Sequence, residues 1–181
     1  MLSTKRGLGL LPQAATGREI SHGCAVVLRR VEGPVAREIF LHCHPPADVT
    51  DPGRQAAAVY RAMLGALGAE GGSFESVVAE TIFLRNLPAI IEPVREARRG
   101  VLAADGVAGH HPATVEIEQP PLDERACLEV SVQAVVPNGS PLRIEPIAVA
   151  NARGLQFVVG DERRFHAAGL NGPGGDAHEQ T

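Results

Sequence analysis

The chain has 181 residues, 44% hydrophobic and 21% charged, a composition typical of a folded globular protein. Its formal net charge is −4 and it lacks a long run of Lys or Arg, so we expect no nucleic-acid partner. No apolar segment has the length of a membrane span, and the 3 cysteines show no paired spacing. The sequence therefore predicts a reduced, cytoplasmic protein without a membrane partner.

The first predicted elements follow a loose arm at residues 1–23, which is rich in glycine and polar residues. Strands are predicted at 24–31 and 37–43, the second ended by a Pro-Pro pair that cannot donate to a ladder. A helix then begins at Thr50 or Asp51 as the cap, with apolar residues at helical spacing and Gly68 as its predicted stop.

The second half of the pattern adds three strands and one helix. Strands are predicted at 77–85, 113–118 and 128–136, and the last alternates cleanly between apolar and polar residues. Between the first two strands, Asn86 can cap a helix in which Pro93 predicts either a kink or a later start. On that helix we expect an arginine cluster to form a solvated face: Arg95, Arg98 and Arg99.

The ordered motifs resemble the Rid (YjgF/RidA) family over about Cys24 to Val136. The matching pieces are Leu67-Gly-Ala-Glu, Ser73-Phe-Glu-Ser-Val-Val, Thr81-Ile-Phe-Leu-Arg-Asn86, Thr114-Val-Glu116 and Leu128-Glu-Val130. The resemblance implies an α+β, chorismate-mutase-like Rid fold for residues 24–137, with a mixed sheet and two helices on one face. It also implies a homotrimer that binds a small-molecule ligand at its subunit interfaces. The best-known members hydrolyse reactive imines and enamines.

The residues that the family uses for this hydrolysis are replaced here. The position of the carboxylate-binding arginine is held by Pro112 or deleted, and Ser131 occupies the position of the glutamate that handles water. The pocket tyrosine has no counterpart, since Tyr60 lies on the predicted core stripe. We therefore expect a binding or assembly module; the alternative is an active small-molecule hydrolase or lyase, either an imine/enamine deaminase or a chorismatase-like enzyme. Whether the chain is an enzyme stays open.

Candidate pocket residues follow from the strand faces and the resemblance, without an assigned catalytic residue. They are His42, His44, Arg85, Thr114, Glu129 and Ser131. His42 and His44 share one strand face and could reach one metal ion, with His110-His111 as a further ligand. Because the sequence shows no Asp or Glu ligand pattern, we expect a histidine-lined pocket with no metal and no cofactor. Cys43, on the opposite face, is expected to be an inert buried thiol.

The remaining segment, 138–181, is interpreted as the start of an incomplete second Rid-like repeat or as a C-terminal tail. Its residues 154–160 echo the strand at 37–43, and residues 176–180 echo the start of the first helix. Tandem architectures of this kind resemble chorismatases, in which the N-terminal half is degenerate. On that interpretation the catalytic half would lie outside this sequence.

Overall fold

A computed structural model describes residues 14–139, 143–149, 152–159 and 162–168. Its strands and helices, in chain order, are β1 (Ala14–Ser21), β2 (Cys24–Glu32), β3 (Ala36–His44), α1 (Pro52–Ala69), β4 (Val77–Leu84), α2 (Leu87–Ala104), β5 (Ala113–Glu118), β6 (Leu128–Pro137), β7 (Ile144–Val149), β8 (Ala152–Val159) and β9 (Glu162–Ala168). The echo at 176–180 lies outside the described residues. Neither described helix combines the length and hydropathy needed to cross a membrane.

Six strands form one mixed sheet in the order β1-β2-β3-β6-β4-β5. All neighbouring pairs are antiparallel except β4 and β5, which are parallel and connected through α2. Helices α1 and α2 pack against each other and cover one face of this sheet. The predicted α+β class, a mixed sheet with two helices on one face, is confirmed.

The core lies between the helices and the sheet, and the sequence pattern of β6 explains how it is filled. Its alternate residues Leu128, Val130, Val132, Ala134 and Val136 are all buried on the helix side. They meet the apolar stripe of α1, including Val59, Tyr60, Met63 and Leu67. Because side chains alternate across a strand, Glu129, Ser131 and Gln133 point to the opposite face.

Helix α1 begins as predicted and ends later than predicted. The Asp51 carboxylate accepts from the backbone N–H of Arg54 at 2.7 Å, and Pro52 occupies the first turn. The predicted stop at Gly68 is wrong because the left-handed residue that ends the helix is Gly71, with φ +74°. The Gly72 N–H donates to the Leu67 carbonyl at 2.9 Å and the Gly71 N–H to Gly68 at 3.0 Å, which is a Schellman ending.

Two further predictions are corrected by the fold. Residues 14–21 are not part of a loose arm but form the edge strand β1, joined to β2 by a turn at His22 and Gly23, both with positive φ. Helix α2 begins at Leu87, capped by Asn86 as predicted, and continues through Pro93, so the predicted alternative of a later start is wrong. Pro93 follows the first turns of α2, and the loss of its single backbone donor leaves the rest of the helix intact.

A second sheet of three antiparallel strands, β7-β8-β9, packs against part of the sheet face that the helices leave uncovered. Leu155 and Phe157 of β8 are buried there against Ala36, Val78 and Val135. The rest of this helix-free face, termed the open face, includes Val27, Arg29, Phe40, His42, Thr81, Ser131 and Gln133, which line a shallow depression.

Candidate functional site

A polar cluster, termed the His–Glu cluster, lies on the open face and consists of His42, His44, Glu129 and Ser131. The register of β3 against β6 creates it: His42 is paired with Ser131, and Cys43 with Val130. The same antiparallel register brings His44 opposite Glu129, and the period of two puts all four side chains on one face. The second sheet packs near Ala36, at the start of β3, and the cluster lies at the other end of this strand.

Glu129 is the centre of this cluster. Its Oε1 is 2.9 Å from His44 Nδ1, and its Oε2 is 3.2 Å from His42 Nε2. The other nitrogen of His42, Nδ1, is 2.6 Å from the Ser131 hydroxyl oxygen. The two imidazole rings meet edge to face with centroids 4.5 Å apart. The sheet thus holds one carboxylate, two imidazoles and one hydroxyl in direct contact with one another.

Burial in the cluster is graded, with the carboxylate inside and the imidazoles at the surface. The Glu129 side chain is 10% exposed, and each histidine side chain is 34% exposed. Burial and the neighbouring His44 lower the pKa of His42, while Glu129 acts in the opposite direction. The neutral imidazole of His42 is therefore favoured, with one ring nitrogen available as an acceptor or ligand.

Cys43 lies between the two histidines in sequence but on the helix-covered side of the sheet. Burial, with a smaller effect of Cys24, raises the pKa of its thiol to about 12. A thiol with that pKa is uncharged at neutral pH and is a poor nucleophile. The expectation of a buried, inert cysteine is in agreement with this environment.

Arg85 and Thr114, the other two predicted pocket residues, have different partners. The Arg85 guanidinium donates to three backbone carbonyls of the loop before β6, those of Ala126, Pro121 and Asp123, at 2.9 to 3.2 Å. It therefore holds that loop in place. The Thr114 hydroxyl donates to Glu80 at 2.9 Å on the helix-covered side, so Thr114 is not in the His–Glu cluster.

The histidines proposed as further ligands also lie elsewhere. His110 Nε2 is 2.7 Å from the carbonyl oxygen of Val77, at the start of β4. The His–Glu cluster is instead beside Phe83, near the end of β4, whose ring centroid is 6.2 Å from that of His42. Pro112 directly precedes β5, where the resemblance would require an arginine. Phe83 was not predicted to lie beside the histidines, although alternation along β4 places its side chain on the open face.

A buried polar network under the helices was also not predicted from the sequence. The Tyr60 hydroxyl donates to Glu80 at 2.6 Å, and Arg98 donates to both carboxylate oxygens. The Arg98 side chain is only 16% exposed, so the predicted solvated arginine face is wrong at this residue. Exposed Arg95 instead pairs with Glu116 and Glu92. The available sequence signal was a charged residue, Glu80, within a mostly apolar strand. Only the fold reveals that Glu80 is buried and meets Arg98.

Comparisons with known proteins identify the fold. No protein-family model matches the chain, and no curated protein sequence matches it. Among solved structures, a Salmonella typhimurium protein described provisionally as a translation initiation inhibitor matches with a TM-score of 0.54 and 20% identity, covering 67% of this chain and 98% of that chain. The YjgF gene product of E. coli matches with a TM-score of 0.50 and 18% identity, covering 59% and 84%. E. coli TdcF, solved with bound serine, gives the same four values.

These matches, together with the sheet order and the two helices on one face, define the class as an α+β domain of the YjgF type. At such identities the similarity establishes the fold alone, since one fold supports many functions. The described part of the chain therefore has the YjgF fold.

Proposed function

We propose that this chain is a divergent Rid-family domain that binds a small molecule at the His–Glu cluster and assembles with copies of itself through the open face. The observation that carries the proposal is the composition of that face. It combines the polar cluster with apolar side chains that neither helix covers. Phe40, Val115 and Ile117 are 37%, 45% and 38% exposed.

The assembly half of the proposal rests on this exposed apolar surface. Val115 and Ile117 lie on β5 opposite Glu116, which pairs with Arg95 of α2, so they belong to the helix-free side. Apolar groups exposed together on one face favour a protein interface. The resemblance to the Rid family implies a trimer in which strands of neighbouring subunits form a central barrel, with pockets at the subunit interfaces bordered by this side of the sheet. A homotrimer would therefore enclose the His–Glu cluster, which is shallow in one chain.

The experiment is the mass of the protein in solution, measured by light scattering after size exclusion. We expect a species three times the chain mass of 19.0 kDa. Phe40→Asp should shift that species towards the monomer, because it introduces a charge into the proposed interface. Leu122→Asp is the matched control, since Leu122 is 96% exposed in the loop before β6. A wild-type monomer would contradict the assembly proposal.

An active hydrolase or lyase is the second candidate, and one observation favours it. Ser131, His42 and Glu129 form a continuous hydrogen-bonded chain, and a carboxylate beside an imidazole can act as a general base. Turnover of 2-aminoacrylate-type imines that is lost in Glu129→Gln would establish this activity. No turnover above the background rate would favour the binding module.

The segment 138–181 remains proposed as the start of a second Rid-type repeat. Its strands β7, β8 and β9 form an antiparallel meander in chain order, as β1, β2 and β3 do in the first sheet. The intact mass of the protein from its native cell tests this proposal. A mass about double 19.0 kDa supports a second repeat, and a mass near 19.0 kDa supports a tail.

A further inference from the structure

The three side chains of the His–Glu cluster that can ligate a metal are already gathered at one point. One ligand atom from each of His42, His44 and Glu129 lies within 4.8 Å of the other two. The shortest separations, 2.9 and 3.2 Å, join the carboxylate to each imidazole. Ligand atoms about 2.0 to 2.2 Å from a common zinc ion lie at similar mutual distances.

The sheet fixes this arrangement, so it does not depend on a flexible loop. His42 and His44 are two residues apart on β3, and Glu129 comes from the directly hydrogen-bonded neighbour β6. Backbone pairing on both strands therefore holds the three Cβ positions before any ligand is present. Pre-positioned ligands of this kind are what a metal site needs.

The electrostatics of Glu129 are consistent with a cation. Its side chain is 10% exposed, and in the described part of the chain its salt bridges are to His42 and His44 only. A carboxylate with little solvent and no Arg or Lys partner needs positive charge nearby.

A hydrogen bond to Ser131 orients the imidazole ring of His42. The Ser131 hydroxyl is 2.6 Å from His42 Nδ1 and can accept its proton, which leaves Nε2 directed at Glu129. Metal-binding histidines commonly have their other ring nitrogen held by such a partner. Ser131 is thus suited to the role of a positioning residue.

We propose that His42, His44 and Glu129 bind a divalent transition-metal ion such as Zn²⁺ on the open face. This inference deepens the proposed ligand-binding role and rests on it. Two imidazoles and one carboxylate satisfy three positions of the ion and leave the rest open towards solvent, where water or a chelating small molecule can bind. No metal was predicted from the sequence because no carboxylate ligand was evident beside the two histidines; the register of β3 and β6 supplies Glu129.

The test uses the full chain, stripped with a chelator and titrated with Zn²⁺ alone against a chromophoric competitor. We expect one Zn²⁺ per chain. His42→Ala, His44→Ala and Glu129→Gln should each weaken binding by more than about tenfold, and Ser131→Ala by about tenfold, as for other outer partners. His111→Ala, which removes an exposed histidine outside the cluster, should bind as the wild type does. Bound Co²⁺ should give a visible absorption band that Glu129→Gln alters.

Circular dichroism of each variant separates loss of metal binding from loss of the fold. If a histidine variant fails to fold, Glu129→Gln still tests the site, because this substitution is nearly isosteric. Binding that is substoichiometric, or that survives all three ligand substitutions, would overturn the metal site. A trimer that fails to bind added Zn²⁺ would overturn the metal site while leaving the proposed assembly intact. Stoichiometric Zn²⁺ binding by a monomer supports the metal site and contradicts the assembly.

Discussion

Arg98 and Glu80 form an ion pair between α2 and the sheet, with Nη2 and Oε2 2.7 Å apart and the Glu80 side chain fully buried. Glu80 also accepts from Tyr60 and Thr114, so its carboxylate has partners from α1, α2 and β5. Such a network is costly to break at one member, because the remaining buried charge then lacks compensation.

We predict that Arg98→Ala lowers the free energy of unfolding by about 3 kcal/mol, because it leaves the Glu80 carboxylate buried without its cation. Arg95→Ala is the matched control on the same helix. Arg95 pairs with Glu116 at the surface, where such a pair contributes less than about 1 kcal/mol. Denaturant unfolding measures both. Equal losses in the two variants would contradict the assigned role of Arg98.

The double variant Arg98→Ala/Glu80→Gln tests the reason for that loss. Removing the charge of Glu80 should restore part of the stability that Arg98→Ala removes, since an uncharged amide costs less to bury alone. The same unfolding measurement supplies the coupling free energy. A double variant that loses the sum of both single losses would show that the two side chains act independently.

The parts of the fold that were predicted from sequence are those with a local signal. The alternation of β6 predicted which side chains enter the core, and Asp51 and Asn86 predicted where both helices begin. Strand β1 was missed because its place at the sheet edge comes from backbone pairing with β2, which a side-chain pattern does not record. The His22-Gly23 turn was its one local indication.

The candidate site was predictable only in part, for the same reason. The period of two put His42 and His44 on one face, and Glu129 and Ser131 on one face of another strand. The two faces meet because of the register of β3 with β6, which joins residues far apart in the chain. His44 and Glu129, for example, are 85 positions apart. Thr114 was assigned to the pocket from the family resemblance, whereas in the structure its hydroxyl donates to Glu80 on the helix-covered side.

The three cysteines should differ in reactivity in the native protein. Burial raises the pKa of Cys24 to about 11 and that of Cys43, which also feels Cys24, to about 12. Cys127 is only partly buried. We predict that iodoacetamide modifies Cys127 first in the folded chain and all three thiols in denaturant. Peptide mass spectrometry measures this, and Cys127→Ser should abolish the rapid native modification. Fast labelling of Cys43 would contradict its assigned burial.

Stability should fall with acidification partly through His166, whose ring stacks on Phe157 with centroids 5.8 Å apart. Burial lowers the pKa of His166, with Arg164 acting in the same direction and Glu38 opposing it. The unfolded chain therefore binds a proton at higher pH than the folded chain does. The contribution of His166 to stability is present above the unfolded pKa of about 6.5, and it is lost as the pH falls from there through the lower folded pKa.

The measurement is the thermal midpoint between about pH 7.5 and pH 5.5, on either side of that value. We expect a decrease in wild type that is smaller in His166→Phe, a variant that keeps an aromatic ring against Phe157. The difference between the two proteins isolates the contribution of His166 from that of other titratable groups. Parallel curves would contradict a contribution from His166.

Two glycines should respond to alanine with opposite signs. Gly100 lies inside α2, where an added Cβ meets nothing within 4 Å, so Gly100→Ala should stabilise the chain by about 0.5 to 1 kcal/mol. Gly71 ends α1 with φ +74°, a conformation that costs a residue with a Cβ about 1 kcal/mol or more. Gly71→Ala should therefore destabilise it. Urea unfolding of both variants measures the two shifts in midpoint, and a stabilising Gly71→Ala would show that the Schellman ending does not limit α1.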